Sequence, residues 1–176
     1  PGRNRDSGLW ILVRVLYQTG SPELYVVPLA FTLFSGEGAP PDIPAHALLA
    51  ALTTADGTGL LHDALFSPAF REELMRGWTG RRRVRGTSGR LVYRPDRLLT
   101  GYGKKIDSWT SDVLKAEQSN TSVVYGRDIM VKIYRRVEEG VNPEPEILRY
   151  LTRRTSFRNI PEYAGGLEYQ DGESTY

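Results

Sequence analysis

The N-terminal part of the chain alternates apolar runs with turn sequences in a pattern typical of antiparallel strands. Residues 9–17 (LWILVRVLY) are rich in β-branched and aromatic side chains, which predicts a strand. Residues 18–22 form a turn sequence and residues 24–34 a second apolar run, so we expect the two runs to pair as a hairpin. Pro28 lies within the second run and cannot donate a ladder hydrogen bond, so we expect it at an edge or a bulge.

The next segment predicts a loop followed by helices. Residues 35–44 hold two glycines and three prolines and predict the loop. Residues 45–52 are rich in alanine and leucine and predict a helix, whereas residues 60–66 fit either a strand or a short helix. Ser67 and Pro68 supply an N-cap and a first-position proline for another helix. The apolar face of that helix recurs at a spacing of four, at Phe70, Leu74 and Trp78.

The second half of the chain has the texture of a sheet with one helix. Residues 81–95 alternate around a Thr-Ser-Gly turn and predict a hairpin. Strand, polar turn, strand, tight turn and strand are then predicted at residues 113–117, 118–122, 123–125, 126–128 and 129–134. Asn142 and Pro143 open a predicted helix that runs to about residue 153, and residues 163–169 predict a last strand.

These elements predict an α+β fold in two parts. A β-rich N-terminal domain with a few helices is expected over residues 1–111, and an antiparallel sheet with one helix over residues 112–176. The chain of 176 residues is long enough for two small domains that share a core. Its polar first residues, which lack an initial methionine, suggest that it begins inside a longer protein.

Composition narrows the class of protein. There is no cysteine, so disulfides and thiolate metal sites are excluded, and a reducing cytoplasm fits. The longest apolar run, residues 24–34, is too short to span a bilayer, and no signal peptide is recognisable. A net charge of +2 is too weak a bias to indicate nucleic-acid binding, so neither a nucleic-acid nor a membrane partner is predicted.

A cluster of basic side chains is the one local departure from this balance. Between residues 81 and 97 lie seven arginines: Arg81, Arg82, Arg83, Arg85, Arg90, Arg94 and Arg97. Apolar residues alternate with them, which favours a hairpin whose arginines face water. A docking surface for a protein and a nucleic-acid surface are the two alternatives.

Three features in sequence order suit a site that binds phosphate groups. The polar turn of residues 118–122 lies between two strands, where backbone N–H groups can approach phosphate oxygens; a plain polar turn explains it equally well. Lys132 shares a strand face with Met130 and Tyr134, so it either pairs with phosphates or extends to solvent. Glu146 lies in the first turn of the following helix, where it either complements the helix dipole or pairs with Lys132.

Several sequence words resemble those of bacterial maltokinases, above all of the maltokinase part fused to trehalose synthase. The most specific are EQSNTSV, VKIYRR and GVNPEPEI at residues 117–123, 131–136 and 140–147. Weaker similarity lies in YVVPL, LHDAL, FRNIP and GGLEY at residues 25–29, 61–65, 157–161 and 165–169. The resemblance covers nearly the whole chain.

The resemblance implies a sugar kinase that transfers the γ-phosphoryl group of ATP to maltose and yields maltose 1-phosphate. Its fold would be similar to protein kinases, with residues 1–111 as an N-terminal cap and residues 112–176 as part of the small lobe. ATP and Mg²⁺ would be the cofactors, and trehalose synthase is a possible fused or bound partner. The implied nucleotide-binding residues are Ser119, Asn120, Thr121 and Ser122 in the phosphate-covering turn, Lys132, and Glu146 as its helix partner.

One part of the family pattern is missing from this sequence. The His-Gly-Asp catalytic loop and the Asp-containing Mg²⁺ motif of the large lobe do not occur, and neither His46 nor His62 precedes Gly-Asp. The chain therefore contains no predicted catalytic or metal-binding residue, and by itself it is predicted to be inactive. For His62 and Asp63 we expect roles in packing and at a helix end. The alternatives are an interaction module that docks onto trehalose synthase, or a kinase for another sugar such as glucosamine.

Overall fold

The computed structural model describes residues 8–34, 42–114 and 119–176. Its chain contacts define two compact units, a first unit of Pro1–Glu73 with Thr110–Arg136 and a second unit of Leu74–Trp109 with Val137–Tyr176. These units are defined by contacts within the chain and do not test the domain boundary expected near residue 111. That boundary stays a prediction.

The described residues form twelve strands, three α-helices and three short 3₁₀ helices. The strands are β1 (Leu9–Val15), β2 (Glu23–Leu33), β3 (Leu48–Thr54), β4 (Gly57–Asp63), β5 (Arg83–Arg85), β6 (Arg90–Pro95), β7 (Ser111–Val113), β8 (Asn120–Tyr125), β9 (Ile129–Tyr134), β10 (Arg136–Val137), β11 (Gly165–Asp171) and β12 (Ser174–Thr175). The α-helices are α1 (Pro68–Thr79), α2 (Arg97–Tyr102) and α3 (Pro143–Arg154), and the 3₁₀ helices are Ala45–Ala47, Ala64–Phe66 and Gly103–Ser108. The predicted β-rich α+β fold is confirmed.

The first unit contains an antiparallel sheet in the order β1-β2-β4-β3. The predicted β1–β2 hairpin forms, and Pro28 lies buried in β2 opposite Trp10. The N–H of Val26 donates to the carbonyl of Arg135, so Val26, and with it Pro28 two residues later, directs its backbone away from β1. Strand β4 joins that edge of β2 only from Leu29 onward. The missing N–H of Pro28 thus removes no β1–β2 hydrogen bond. The expected position on an edge strand is nevertheless wrong, because β2 lies inside the sheet, between β1 on one side and β4 and β10 on the other.

The helix predicted over residues 45–52 is wrong. Only Ala45–Ala47 forms a helical turn, and the chain then continues as β3, which pairs antiparallel with β4. Alanine and leucine favour a helix only weakly, whereas pairing with β4 satisfies the backbone groups on one edge of β3. Residues 60–66 combine both alternatives left open by the sequence, because β4 ends at Asp63 and the 3₁₀ helix Ala64–Phe66 follows.

A second sheet of the first unit is formed by β7, β8 and β9 in that order. The tight turn expected between β8 and β9 is present, and Gly126 there has the positive φ of 58° that glycine adopts most readily. The predicted polar turn is wrong for residues 120–122, which belong to β8. They are extended because each lies opposite a residue of β9, from Asn120 opposite Tyr134 onward. Residues 115–118, including the predicted turn position Gln118, lie outside the described part of the chain.

The second unit is built on a four-stranded antiparallel sheet in the order β12-β11-β6-β5. The β5–β6 hairpin was predicted, whereas the pairing of β11 with β6 was not. Trp78 of α1 is buried edge-on against Tyr93 and donates from its indole N–H to the carbonyl of Gly166 (2.8 Å). Because β11 pairs with β6, the last predicted strand belongs to the same sheet as the β5–β6 hairpin. The kinase-like arrangement of residues 112–176 stays a prediction.

Both proline-containing helix starts form as predicted. The N–H of Phe70 donates to the Ser67 hydroxyl ahead of α1, and the N–H of Glu144 donates to the Asn142 side chain ahead of α3. Helix α3 has no buried residue, and its Ile147 is 55% exposed. No helix of the described residues is long and apolar enough to cross a membrane.

Candidate nucleotide-binding site

The β8–β9 hairpin positions four of the six predicted nucleotide-binding residues. Because opposed residues of an antiparallel pair share a face, Ser122 lies on the same side of the sheet as Lys132, which is directly opposite. Asn120 shares this side through strand alternation. Thr121 lies opposite Ile133 and shares the other side. The structure therefore groups three of these predicted residues on one face and separates Thr121 from them.

Lys132 lies beside apolar and aromatic neighbours, as its strand pattern predicted. Its Nζ is 5.4 Å from the centre of the Tyr134 ring, a distance at which an ammonium group is attracted to the ring face. The lysine is half-buried, and Met130 on the same face is 58% exposed. This face of the hairpin thus combines one cation, one aromatic ring and an open apolar side chain.

Thr121 has a structural role in place of the predicted phosphate contact. It is 2% exposed, and its Oγ1 accepts hydrogen bonds from Nε (3.1 Å) and Nη2 (2.9 Å) of Arg135. Arg135 also forms a salt bridge of 2.5 Å with Oδ2 of Asp63. The hydroxyl is committed to this arginine because Thr121 faces the core side of β8. It does not fit a nucleotide on the Lys132 side.

Asp63 and His62 take the structural roles expected from the sequence. Oδ1 of Asp63 accepts from the N–H of Leu65 and caps the 3₁₀ helix Ala64–Phe66. His62 is fully buried between Oγ1 of Thr32 (3.0 Å) and the carbonyl of Asp63 (2.9 Å). The partner of Asp63, Arg135, was not singled out from the sequence, because the word VKIYRR gives no indication which arginine points inward.

Asn120 is more than nine-tenths buried, and one polar atom of its side chain has no hydrogen-bond partner within the described residues. Its Nδ2 lies 3.4 Å from the Ser119 hydroxyl, while Oδ1 has no hydrogen-bond donor within the described residues. A phosphate oxygen is itself an acceptor, so it does not complement Oδ1. Asn120 therefore shares the correct face but offers a poor phosphate contact through this atom.

The two serines at either side of Asn120 and Thr121 are the more accessible members of the predicted set. Ser119 is exposed and Ser122 half-buried. Their carbonyl groups accept from the N–H groups of Arg135 (3.0 Å) and Leu114 (2.9 Å). Their hydroxyl groups are the side-chain donors that these two residues offer to a ligand. Ser122 lies nearest to Lys132 by register, which makes it the predicted residue that best fits a shared anion.

Glu146 lies where the helix pattern placed it, exposed in the first turn of α3. Lys132 belongs to the first unit and Glu146 to the second. The ion pair predicted between them stays a prediction.

Arg71 fixes β7 beside this hairpin and was also missed by sequence reasoning. Its guanidinium donates to the carbonyl of Leu65 (2.8 Å) and to the hydroxyl and carbonyl of Ser111 (2.9 and 2.8 Å). Burial lowers the pKa of Arg71, and the Tyr125 hydroxyl donates to its backbone carbonyl. These bonds hold β7, β8 and the start of α1 together.

The assembled face can attract an anionic group through Lys132 and the Ser122 hydroxyl beside an apolar surface. Among the described residues, no group of three His, Asp or Glu side chains lies close enough together to hold a metal ion. No protein-family model matches this chain.

Proposed function

We propose that this chain is the N-terminal portion of a maltokinase, which phosphorylates maltose to maltose 1-phosphate with ATP in the cytoplasm. The observation that supports it best is the position of Lys132, half-buried on a strand and directly opposite Ser122 on the neighbouring strand. A lysine on the third strand of a hairpin sheet is where kinases pair with ATP phosphates. The resemblance of the sequence words around Lys132 supplies the choice of maltokinase.

Each residue has a definite task in this proposal. Lys132 binds the α- and β-phosphates through its ammonium group, and Ser122 donates its hydroxyl to a neighbouring phosphate oxygen. Ser119, exposed at the start of β8, provides a second hydroxyl. Glu146 orients the lysine. Thr121 supports the hairpin from the core side and contributes no phosphate contact.

The remaining chemistry belongs to residues that this sequence does not contain. Bound Mg²⁺ would neutralise charge on the phosphate oxygens, and its ligands are assigned to the large lobe of the family. The maltose site and the group that orients the attacking hydroxyl are assigned there too. We therefore expect the 176-residue chain to bind nucleotide without consuming it.

Calorimetric titration of the chain with Mg-ATP tests the nucleotide part of the proposal. Lys132→Ala is expected to weaken binding on the order of tenfold or more, because charge-assisted hydrogen bonds contribute about 1.5–3 kcal/mol. Lys105→Ala is a matched control, since Nζ of Lys105 also lies over a tyrosine ring, 5.9 Å from the centre of Tyr102. Equal affinity of the two variants, or no binding by the folded chain, would contradict the assignment of Lys132.

A panel of acceptor sugars separates maltose from the alternatives. With a longer protein that includes the large lobe, we expect ATP consumption with maltose and little with glucosamine or other hexoses. ATP consumption that depends mainly on another sugar would support a sugar kinase but would contradict maltose as its acceptor.

A further inference from the structure

One face of the β5–β6 hairpin carries most of the arginine cluster. Arg83 lies opposite Val92, and Arg85 lies opposite Arg90, so these arginines share a face with the alternate β6 residue Arg94. The hairpin predicted for residues 81–95 is confirmed, but the arginines on this face are not equivalent.

The two arginines of β6 are held by the neighbouring strand β11. Nε of Arg90 donates to the Gln170 side chain (3.1 Å), and Nε of Arg94 forms a 2.6 Å salt bridge with Glu168. Arg83 and Arg85 are exposed and form no ion pair or side-chain hydrogen bond with any described residue. The positive charge at the β5 side of the sheet is therefore uncompensated within the described chain.

The same two arginines line an open strand edge. Strand β5 is at the end of its sheet, so only one of its edges is paired. The carbonyl of Arg82 accepts from Tyr93 (3.0 Å) and the N–H of Gly86 donates to Gly89 (2.7 Å), so alternate residues of β5 direct their backbone toward β6. The N–H and C=O groups of Arg83 and Arg85 consequently point to the open edge.

We propose that β5 receives an extended acidic segment of a partner protein as a fifth strand of this sheet. Backbone groups of Arg83 and Arg85 would form the ladder, which is how exposed edges capture extended peptides. Acidic side chains opposite both arginines would fall on their face of the sheet. Between them, an apolar side chain would fall on the opposite face beside Val84, which is 46% exposed. The edge thus selects an acidic–apolar–acidic sequence.

The charge of the edge argues against a second copy of this chain as the occupant. Pairing of β5 with itself would bring arginines together across the new ladder, and like charges in opposed positions are destabilising. A nucleic acid would use the guanidinium groups but neither the backbone groups of the edge nor Val84. The combination of ladder, charge and exposed valine fits an acidic strand best.

Fluorescence anisotropy with a short labelled peptide whose centre reads Glu-Val-Glu-Val-Glu tests the proposal on the 176-residue chain. We expect the double variant Arg83→Ser, Arg85→Ser to bind on the order of tenfold more weakly, because each exposed ion pair contributes at most about 1 kcal/mol. The variant Arg127→Ser, Arg154→Ser removes the same charge from exposed positions outside β5 and should bind within about twofold of the unchanged protein. Amide hydrogen exchange at Arg83 and Arg85 should slow when the peptide binds.

Two further ligands distinguish a strand from mere charge attraction without altering the protein. A peptide of the same composition with its glutamates grouped, and one with methylated backbone nitrogens at the ladder positions, should both bind much more weakly. Equal binding of either one would overturn the proposal. So would tighter binding of a single-stranded oligonucleotide that depends on the same arginines, or the absence of peptide binding.

Discussion

Thr121 and Ser122 are adjacent in sequence, yet the pleat of β8 gives them opposite surroundings. Thr121 is buried and bonded to Arg135, whereas Ser122 is half-buried and lies opposite Lys132. The resemblance placed both residues in one phosphate-covering turn. A sequence motif shows which residues resemble those of a family. It does not show that Thr121 and Ser122 face opposite sides of a sheet, because that follows only once both are known to lie within the strand.

Paired substitutions test this separation. Thr121→Val removes the acceptor for two nitrogens of Arg135 and should lower the free energy of unfolding by about 1–3 kcal/mol. It should leave the affinity for Mg-ATP unchanged. Ser122→Ala should do the reverse, weakening nucleotide binding with little loss of stability. Chemical denaturation and calorimetry of both variants give the comparison, and a loss of nucleotide affinity in Thr121→Val alone would contradict our placement of the ligand.

Glu23 should make the stability of the first unit depend on pH. The hydroxyl groups of Tyr17 (2.6 Å) and Tyr25 (2.7 Å) donate to Oε2 of Glu23, and Arg136 pairs with Oε1 (2.7 Å). These contacts hold the pKa of Glu23 below its usual value. A lowered pKa in the folded state stabilises the protein above the ordinary glutamate pKa of about 4.3, and that contribution is lost as the pH falls through the lowered value.

Thermal unfolding of the unchanged protein and of Glu23→Gln across pH measures this contribution. We expect the variant to be less stable at neutral pH, with the difference closing as the solution becomes acidic. A difference that is constant from neutral to acidic pH would show that the Glu23 charge is not responsible.

At the scale of elements, local chemistry predicted the helix starts and short hairpins, and long-range pairing decided the rest. Ser67 and Asn142 form their caps because the required hydrogen bonds span only two or three residues. Residues 48–52 became part of β3, and not of a helix, because β4 was available as a neighbour. The β6–β11 pairing joins residues that are 70 to 80 positions apart, and nothing in either segment indicates its partner.

Helix α1 offers a test of packing against β6, in the sheet of the second unit. A Cβ added at Gly77 would lie 2.2 Å from the Tyr93 ring, so Gly77→Ala should destabilise the protein by about 1–3 kcal/mol despite the better helix propensity of alanine. Gly101 in α2 has no atom within 4 Å of such a Cβ, so Gly101→Ala is the control and should be neutral or stabilising by up to about 1 kcal/mol. Equal stability of the two variants in urea would contradict the observed packing.

For the whole molecule, the sequence predicted the β-rich α+β class but not the arrangement of its sheets. Hydrophobic alternation indicates that strands are present, while the order of strands in a sheet depends on contacts that alternation does not encode. The functional proposal likewise combines two sources. The hairpin geometry supports an anion beside Lys132, and the sequence words suggest which reaction that anion serves.

The most direct test of the proposed kinase is maltose-dependent ATP consumption by a longer protein that joins these residues to the large lobe. We expect ATP consumption to require maltose, Lys132→Ala to lower the rate by at least about a hundredfold, and the 176-residue chain alone to show none. If the folded longer protein consumes no ATP with maltose or another sugar, or if Lys132→Ala retains the full rate, the proposed function is contradicted.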